Sequence, residues 1–499
     1  MQTTQKQYIT PLVMSGTTQT DVTEDFELPE YQPEVRRVAG VQCTVTRDNA
    51  FLEENAVEMS GCVLYTVVYL GGEGGLCSAP FFSTWSVKIP LPENAGIGVE
   101  DLHMLCDGEN VTCRVTGPRK LSLSARVKVR CTALGEMECG TETVQNAVYR
   151  MEEVPVVRMK TCRMTGNVSG ETGGGKVISC RGTVQITEAR RTAEGIAVSG
   201  EAAARFLVQG DSGSYVPVKS RMPISEMIPC PKNLWDVPDG SESVTAGGKC
   251  AALTVTEGED GVIRWEMEYD LEGTVCGESR SIRAADGYCT THGDTPVFRQ
   301  ADSITGGRCI RGQVTLTGEK QLRGETPNLQ FLYGWGRGVF ERGEVLPGTA
   351  GGGRLLLTGT AYCTALLTGN GDVTAEEVTM PIRYECELHD MPENAPEMPA
   401  EFTVPDCRCS FTVWDVGGHL EGSVLHIHAE AGCEGIVLFG EPCTWLAGLT
   451  VNADQPLPKG KPTVVLYTPD AGETMWDVQK RYRTDAVTES GGKFVVMQR

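Results

Sequence analysis

Long apolar runs are missing from this chain of 499 residues. The best stretch, CVLYTVVYL at Cys62–Leu70, is strand-sized and far short of the ~20 apolar residues that cross a bilayer as a helix. Direct membrane insertion is therefore not expected. Basic charge is also scarce: Lys+Arg total 44 against 66 Asp+Glu, a net charge of −22. Such a surface repels phosphate backbones and anionic lipid, so nucleic acid is not an expected partner. The start, MQTTQKQYITPLVMSG, carries one Lys and an apolar patch broken by Pro11. It lacks the basic start and 7–15-residue apolar core of a secretion signal, which leads to an intracellular expectation. The 20 cysteines include no CxxC pair and are widely spaced. Buried strand thiols are expected rather than a disulfide framework. What is abundant is glycine, 59 residues, with 26 prolines, about 17 % together against an average near 12 %. At 40 % apolar and 22 % charged the chain can build cores, and its length suggests three or four domains.

An internal repeat carries most of the signal. Three segments share one frame: VEMSG at Val57–Gly61, then CVLYTVVYL, then Gly71; IAVSG at Ile196–Gly200, then EAAARFLVQ, then Gly210; LLLTG at Leu355–Gly359, then TAYCTALLT, then Gly369. Ten positions separate the leading glycine from the one that opens the turn in each case. The stretch between is strand-sized, and the glycine-rich clusters suit tight turns. An extended segment follows each turn, with Pro223 and Pro381 falling 23 and 22 residues after their leading glycines. Each unit then ends in a hairpin-like pair, at Cys113–Cys131, Cys250–Cys276 and Cys409–Cys433, with turns placed at Gly117-Pro118, Gly258/Gly261 and Gly417-Gly418. The alternation of Leu121, Leu123, Ala125, Val127 and Val129 argues for half-buried antiparallel strands.

The fold class expected is mainly β: tandem antiparallel sandwich- or barrel-like modules with a small C-terminal α+β domain. The units fall at 41–140, 176–280 and 331–436. Residues 1–40 read as an extended N-terminal segment, 141–175 as a connector, 281–330 as a connector with a strand at Cys309–Thr317, and 437–463 as a linker. Residues 387–400 read as a polar, Pro-rich loop. The last unit, 464–499, changes character. Val464–Tyr467 is a strand, and Ala471–Tyr482 a helix whose start carries Thr474 with Asp477 three residues on, as in a capping box. Met475, Val478 and Tyr482 share one helical face.

The tail VVLYTPDAGETMWDVQKRYRTD is similar to the start of a LysM domain through Gly472, Thr474, Trp476, Lys480 or Arg481, and Tyr482. Only about eight residues, Asp485–Gly492, stand where LysM domains carry their second helix. The upstream units resemble SPOCS domains, the β modules of clostridial spore-coat proteins, through the Ser/Thr-Gly step, the Val-Leu-Tyr strand, FFSTW at Phe81–Trp85, and ELPEYQPEVRRV at Glu27–Val38. Three such modules before PLPKGKPTVVLYTP and a LysM-like end resemble the architecture of SipL-like spore-envelope morphogenetic proteins. That resemblance implies a non-catalytic job in the mother-cell cytoplasm at the forespore surface. It implies binding of the coat morphogenetic ATPase through the C-terminal module, helping to localise the spore coat. The alternative is a peptidoglycan-binding protein whose LysM-like end reads N-acetylglucosamine chains.

Three motifs invite catalytic or ligand readings and are set aside on their own chemistry. Gly210-Asp-Ser-Gly213 copies a serine-protease tetrapeptide. Its only upstream histidine is His103 in DLHMLC, and the other repeats place a turn there. Gly170-Glu-Thr-Gly-Gly-Gly-Lys-Val177 approaches a P-loop. It ends in Val177 and runs into a strand, where a phosphate site needs Ser/Thr and a helix start; a flexible linker is expected. Cys407-x-Cys409 and His426-x-His428 look like zinc ligands across a turn at Gly417-Gly418. The register that buries Cys409 and Phe411 with Leu425 and Ile427 leaves both histidines outside. No catalytic residue, metal or cofactor is expected. The candidate partner- or glycan-binding residues are Gly472, Glu473, Thr474, Met475 and Trp476, with the rim at Gly472–Thr474 foremost. Val478 and Tyr482 are expected in the small domain's core.

Overall fold

The protein is described by a computed structural model for residues 7–498, apart from 54, 73, 93–97, 211, 231–241, 259–260, 324–327, 348–352, 370–371, 388–402 and 458–462. The Pro-rich loop read at 387–400 lies almost wholly outside the described residues. After a short β1 (Tyr8–Ile9) the chain builds three modules of six strands. The first holds β2 (Leu12–Glu27), β3 (Val35–Leu52), β4 (Ala56–Gly71), β5 (Leu76–Pro90), β6 (Gly98–Gly117) and β7 (Lys120–Glu138). The second holds β8 (Ala147–Gly173), β9 (Lys176–Arg191), β10 (Gly195–Gln209), β11 (Tyr215–Pro229), β12 (Glu242–Glu257) and β13 (Val262–Cys289). The third holds β14 (His292–Gln321), β15 (Gln330–Pro347), β16 (Gly353–Gly369), β17 (Asp372–Glu387), β18 (Thr403–Glu421) and β19 (Val424–Pro456). The tail is β20 (Thr463–Tyr467), α1 (Met475–Tyr482), β21 (Val487–Ser490) and β22 (Lys493–Gln498).

Each module folds the same way. Its second, third and fourth strands make one antiparallel sheet, β3-β4-β5, β9-β10-β11 or β15-β16-β17. Its first, sixth and fifth make the other, β2-β7-β6, β8-β13-β12 or β14-β19-β18. The two sheets close on one apolar core per module. Strand alternation causes this: in β7, Leu121, Leu123, Ala125, Val127 and Val129 point inward and are essentially fully buried. Each buried Val or Leu contributes roughly 1.5–3 kcal/mol.

The leading glycine of the repeat has a steric cause. Gly61, Gly200 and Gly359 sit on the central strand opposite a register shift in the neighbouring strand, at Arg47/Asn49, at the Gly200 step, and at Phe340/Arg342. A Cβ there would lie 2.1 Å from the Thr46 carbonyl, 2.2 Å from that of Gln185 and 2.3 Å from that of Val339. The bulge brings one backbone onto the other, and only glycine leaves room.

The modules close on one another. The fourth strand of each lies against the second strand of the next: β5 on β9, β11 on β15, and β17 back on β3. Two apolar clusters draw on all three modules, one with Ala39, Ile178 and Trp335, the other with Leu134, Cys276 and Leu438. The Trp335 ring covers Gly40 of the first module. One polar chain also touches all three: Arg408 donates to Asp101 Oδ2 at 2.8 Å, and Asp101 Oδ1 accepts from the Thr161 amide at 3.0 Å. The Arg408 and Asp101 side chains are 0 % and 3 % exposed.

Several boundaries differ from the sequence reading. Residues 12–27, read as part of an extended segment, are β2 of the first module. Most of 141–175, read as a connector, is β8, and 292–321, within the connector read at 281–330, is β14. The linker read at 437–463 is β19 as far as Pro456. These first strands pair with last strands from about 90 to more than 160 positions away, as Gly173 with Val262 and His292 with Pro456. The near-P-loop at 170–177 is accordingly the end of β8 and a glycine turn into β9, not a flexible linker. The third terminal hairpin turns at Gly422, not at Gly417-Gly418. Those two glycines lie inside β18, where a Cβ on Gly417 would come 2.3 Å from His428 Nε2.

Candidate functional site

The tail folds around Val478, Val487, Phe494 and Val496, with Val465, Tyr467, Met475 and Tyr482 against them. Its helix starts where the capping box lies: Thr474 accepts from the Asp477 amide, and the Asp477 carboxylate accepts from the Thr474 amide at 2.8 Å. The Thr474 hydroxyl also donates to the Asp477 carboxylate at 2.6 Å, and this bond, with that from the Thr474 amide, holds the carboxyl below its usual range. The helix ends on Arg483 in the left-handed region, φ 53°. Among the described residues no second helix follows. Gly491 and Gly492, both at positive φ, make a hairpin turn between β21 and β22. The sheet order is β20-β22-β21. A third strand, β21, therefore follows the helix, where the LysM resemblance leads to the expectation of a second helix.

The five candidate residues have different fates. Gly472, at φ +87°, and Thr474 face solvent on the rim. Glu473 is spent inside the tail: it accepts from Tyr467 OH at 2.7 Å and the Asp470 amide at 3.1 Å, and pairs with Arg481 at 2.7 Å. Met475 packs on the tail core, as Val478 and Tyr482 do. Trp476 is half-buried against the body. Its indole N–H donates to Asp286 Oδ2 at 2.9 Å, and its ring lies 5.3 Å from that of Tyr288. Lys480 pairs with the same Asp286 at 2.7 Å, Arg483 with Asp294 at 2.7 Å, and Tyr288 OH donates to the Thr484 carbonyl at 3.0 Å. Burial pushes Asp286 up, but the hydrogen bonds from Lys480, Trp476 and the Gly287 amide, with the Lys480 charge, outweigh it and hold the carboxyl below its usual range. A bulge between Ala284 and Asp286 re-aims β13 at this point. The seat thus comes from the long strands of the second and third modules, which sequence reasoning missed. An acidic residue in a strand has no periodic signature of the partner it awaits.

On the other side of the tail the sheet turns an apolar face outward. Val464 is 69 % exposed, Leu466 62 % and Met497 44 %. Val464 pairs with Met497, and Leu466 with Val495. Strand alternation puts all four on the face away from the core.

The remaining motifs occupy ordinary places. Ser212 of the protease-like tetrapeptide shares a hydrogen bond with Ser214 Oγ at 2.8 Å in the β10–β11 turn. Cys409, Phe411, Leu425 and Ile427 are buried and His426 and His428 are not in the core. The shifted turn instead stacks His419 on His426, ring centroids 5.0 Å apart, beside Glu421. By donor type that exposed trio could hold a divalent metal; as it stands its members pair with one another and with Glu319. Among the described residues no helix is long and apolar enough to cross a membrane. Compared with known proteins, the chain matches no family model, no curated protein and no solved structure.

Proposed function

We propose that this chain is a non-catalytic spore-envelope scaffold. It works on the mother-cell side of the forespore, binds a coat morphogenetic ATPase through its C-terminal LysM-like module, and helps to localise the coat. The three closed modules are the support, and the tail is the docking tip. The observation that carries this reading is how the tail spends its two sides. Trp476 and Lys480 are committed to Asp286 on the body, while Val464, Leu466, Val495 and Met497 form an uncovered apolar face. Burying side chains of this kind contributes roughly 1.5–3 kcal/mol each, enough for an interface centre. The glycan alternative finds less support, since β21 follows the helix where the LysM resemblance leads to the expectation of a second helix.

The test uses the full chain. Purified coat ATPase is captured on immobilised protein, and in parallel the protein is pelleted with peptidoglycan. The proposal expects capture of the ATPase, at least tenfold weaker with Leu466→Lys, and no pelleting. Pelleting that Leu466→Lys leaves intact and Thr474→Ala abolishes, without ATPase capture, would overturn it in favour of a glycan-binding role.

A further inference from the structure

Where the three modules meet lies a partly open cavity of about 270 Å³, with Lys249 at its exposed edge. Its walls come mainly from edge strands of every module, β3 and β6, β9 and β12, β15 and β18, with residues of β8, β13 and β19 completing them. An apolar cavity of about 150 Å³ already accommodates benzene, so this space suits an occupant of roughly ten to fifteen heavy atoms.

The lining is charged, and of the sign this chain otherwise lacks. Arg47, Arg163, Arg181, Lys249, Arg337 and Arg408 face it, against Asp107, Asp270, Glu272 and Glu434. Internal pairing accounts for part of that charge. Glu272 holds both Arg47, at 3.1 Å, and Arg163, and meets His103 at 3.2 Å. Arg408 is held by Asp101 and Asp406. Among the described residues no carboxylate pairs with Arg181, Lys249 or Arg337: Arg181 donates to the Gly336 carbonyl and Lys249 to that of Cys106. On the acidic side, Asp107 is matched by Arg130 at 3.7 Å; Asp270, the ladder partner of Lys249, accepts from Thr165 Oγ1 at 3.0 Å and offsets one of the three free cations. Burial pushes Glu434 up to about 7, with Arg311 opposing, so it supplies only part of a charge near neutrality. Cys43, Cys106 and Cys250 are also on the wall, and burial pushes their thiols up to about 11, 12 and 12, which keeps them uncharged.

Three buried donors at this cavity lack a partner: Arg408 Nη2, Arg337 Nε and Thr245 Oγ1. The Arg408 side chain is 0 % exposed. An unmet buried donor is destabilising, more so when it is charged. Water could accept from such donors, but it does not balance uncompensated cations. A molecule with several anionic oxygens does both.

We propose that the axial cavity binds a small multivalent oxyanion, carboxylate or phosphate in chemistry, which bridges the three modules. Arg337 and Lys249 are its principal charge partners, with Arg408 and Thr245 donating from behind. The site stands apart from the tail and does not depend on the partner proposed for it.

Isothermal titration calorimetry on the full chain tests this at constant ionic strength, with citrate, inorganic pyrophosphate and, as a monovalent control, acetate. One equivalent of citrate or pyrophosphate binds at sub-millimolar concentration, and acetate does not. Whichever of the two binds tells the carboxylate source from the phosphate source. Lys249→Gln and Arg337→Gln, each made separately, weaken binding at least tenfold, and Glu434→Gln strengthens it. No heat from either multivalent anion up to several millimolar overturns the proposal. So does binding that both cavity substitutions leave unchanged, which would mark an adventitious ion only. Melting curves in anion-free buffer verify that each variant is folded before titration.

Discussion

Gly200→Ala puts the steric account of the repeat at risk. The added Cβ would stand 2.2 Å from the Gln185 carbonyl oxygen and 3.0 Å from Ile186 Cα. Carbon and oxygen rest near 3.3–3.6 Å, so β9 must retreat by about 1 Å. That movement stretches ladder bonds on either side of the bulge, each contributing about 0.5–1.5 kcal/mol. Overpacking adds about 1–3 kcal/mol. The sum is about 2–6 kcal/mol, or a fall on the order of 2–6 °C in melting temperature for a single cooperative body of this size, whose unfolding entropy is about 1 kcal/mol/K. Differential scanning calorimetry reads it on the full chain. Gly16→Ala is the control: Gly16 is also in a strand, β2, and nothing lies within 4 Å of its would-be Cβ. It should leave the melting temperature unchanged or raise it slightly. Gly61→Ala and Gly359→Ala should behave like Gly200→Ala, since the Trp85 and Phe411 rings also crowd those sites. If Gly200→Ala melts within about 1 °C of Gly16→Ala, the bulge does not explain the repeated glycine.

The seat of the tail and the buried carboxylates make two further predictions. Asp286→Ala removes the acceptor for Trp476 and the partner of Lys480; at about 1–3 kcal/mol per charged hydrogen bond the tail should leave its seat tenfold more often or beyond. Hydroxyl-radical footprinting of Trp476 and Tyr288 should then rise while that of Trp265 stays constant, and unchanged footprints would refute the seat. Glu434, raised by burial to about 7, favours folding only while protonated; its contribution is complete below about pH 4.5 and is lost as pH rises through 7. Glu434→Gln should therefore melt above the parent at pH 8, by up to about 3 kcal/mol of stability, and level with it at pH 4.5 in anion-free buffer. Glu272 runs the other way: burial pushes it up, but His103 and Arg163 prevail and hold it at about 2, so its contribution is present above about pH 4.5 and lost as pH falls towards 2.

The parts of the fold that the sequence announces are those enforced within a few residues. The bulge glycines, the central strands between them, the glycine turns at Gly71 and Gly210, and the Thr474–Asp477 cap all act locally, and all stand where the pattern puts them. Strands β8 and β14 are different. They are first strands whose partners arrive last, and much of their length is half-exposed alternation with few large apolar residues. Gly417-Gly418 misleads because glycine serves two ends: it permits turns, and it makes room beneath rings such as His428. At the candidate site, the cap and tail core were legible. The commitment of Trp476 to Asp286 was not, because it joins positions 190 apart through one carboxylate. The axial cavity is equally hidden: its arginines look like ordinary strand-surface charges until three modules bring them face to face.

The central claim is a single closed body of three like modules carrying a seated tail. Small-angle X-ray scattering of the full chain in solution tests it most directly. A compact body of 499 residues should give a radius of gyration near 23–26 Å. Three modules strung in a line, each with strands of about 16 residues and so roughly 50 Å long, would exceed about 35 Å. The account predicts the smaller value and a single-peaked distance distribution; the larger value, with a long tail, would contradict it.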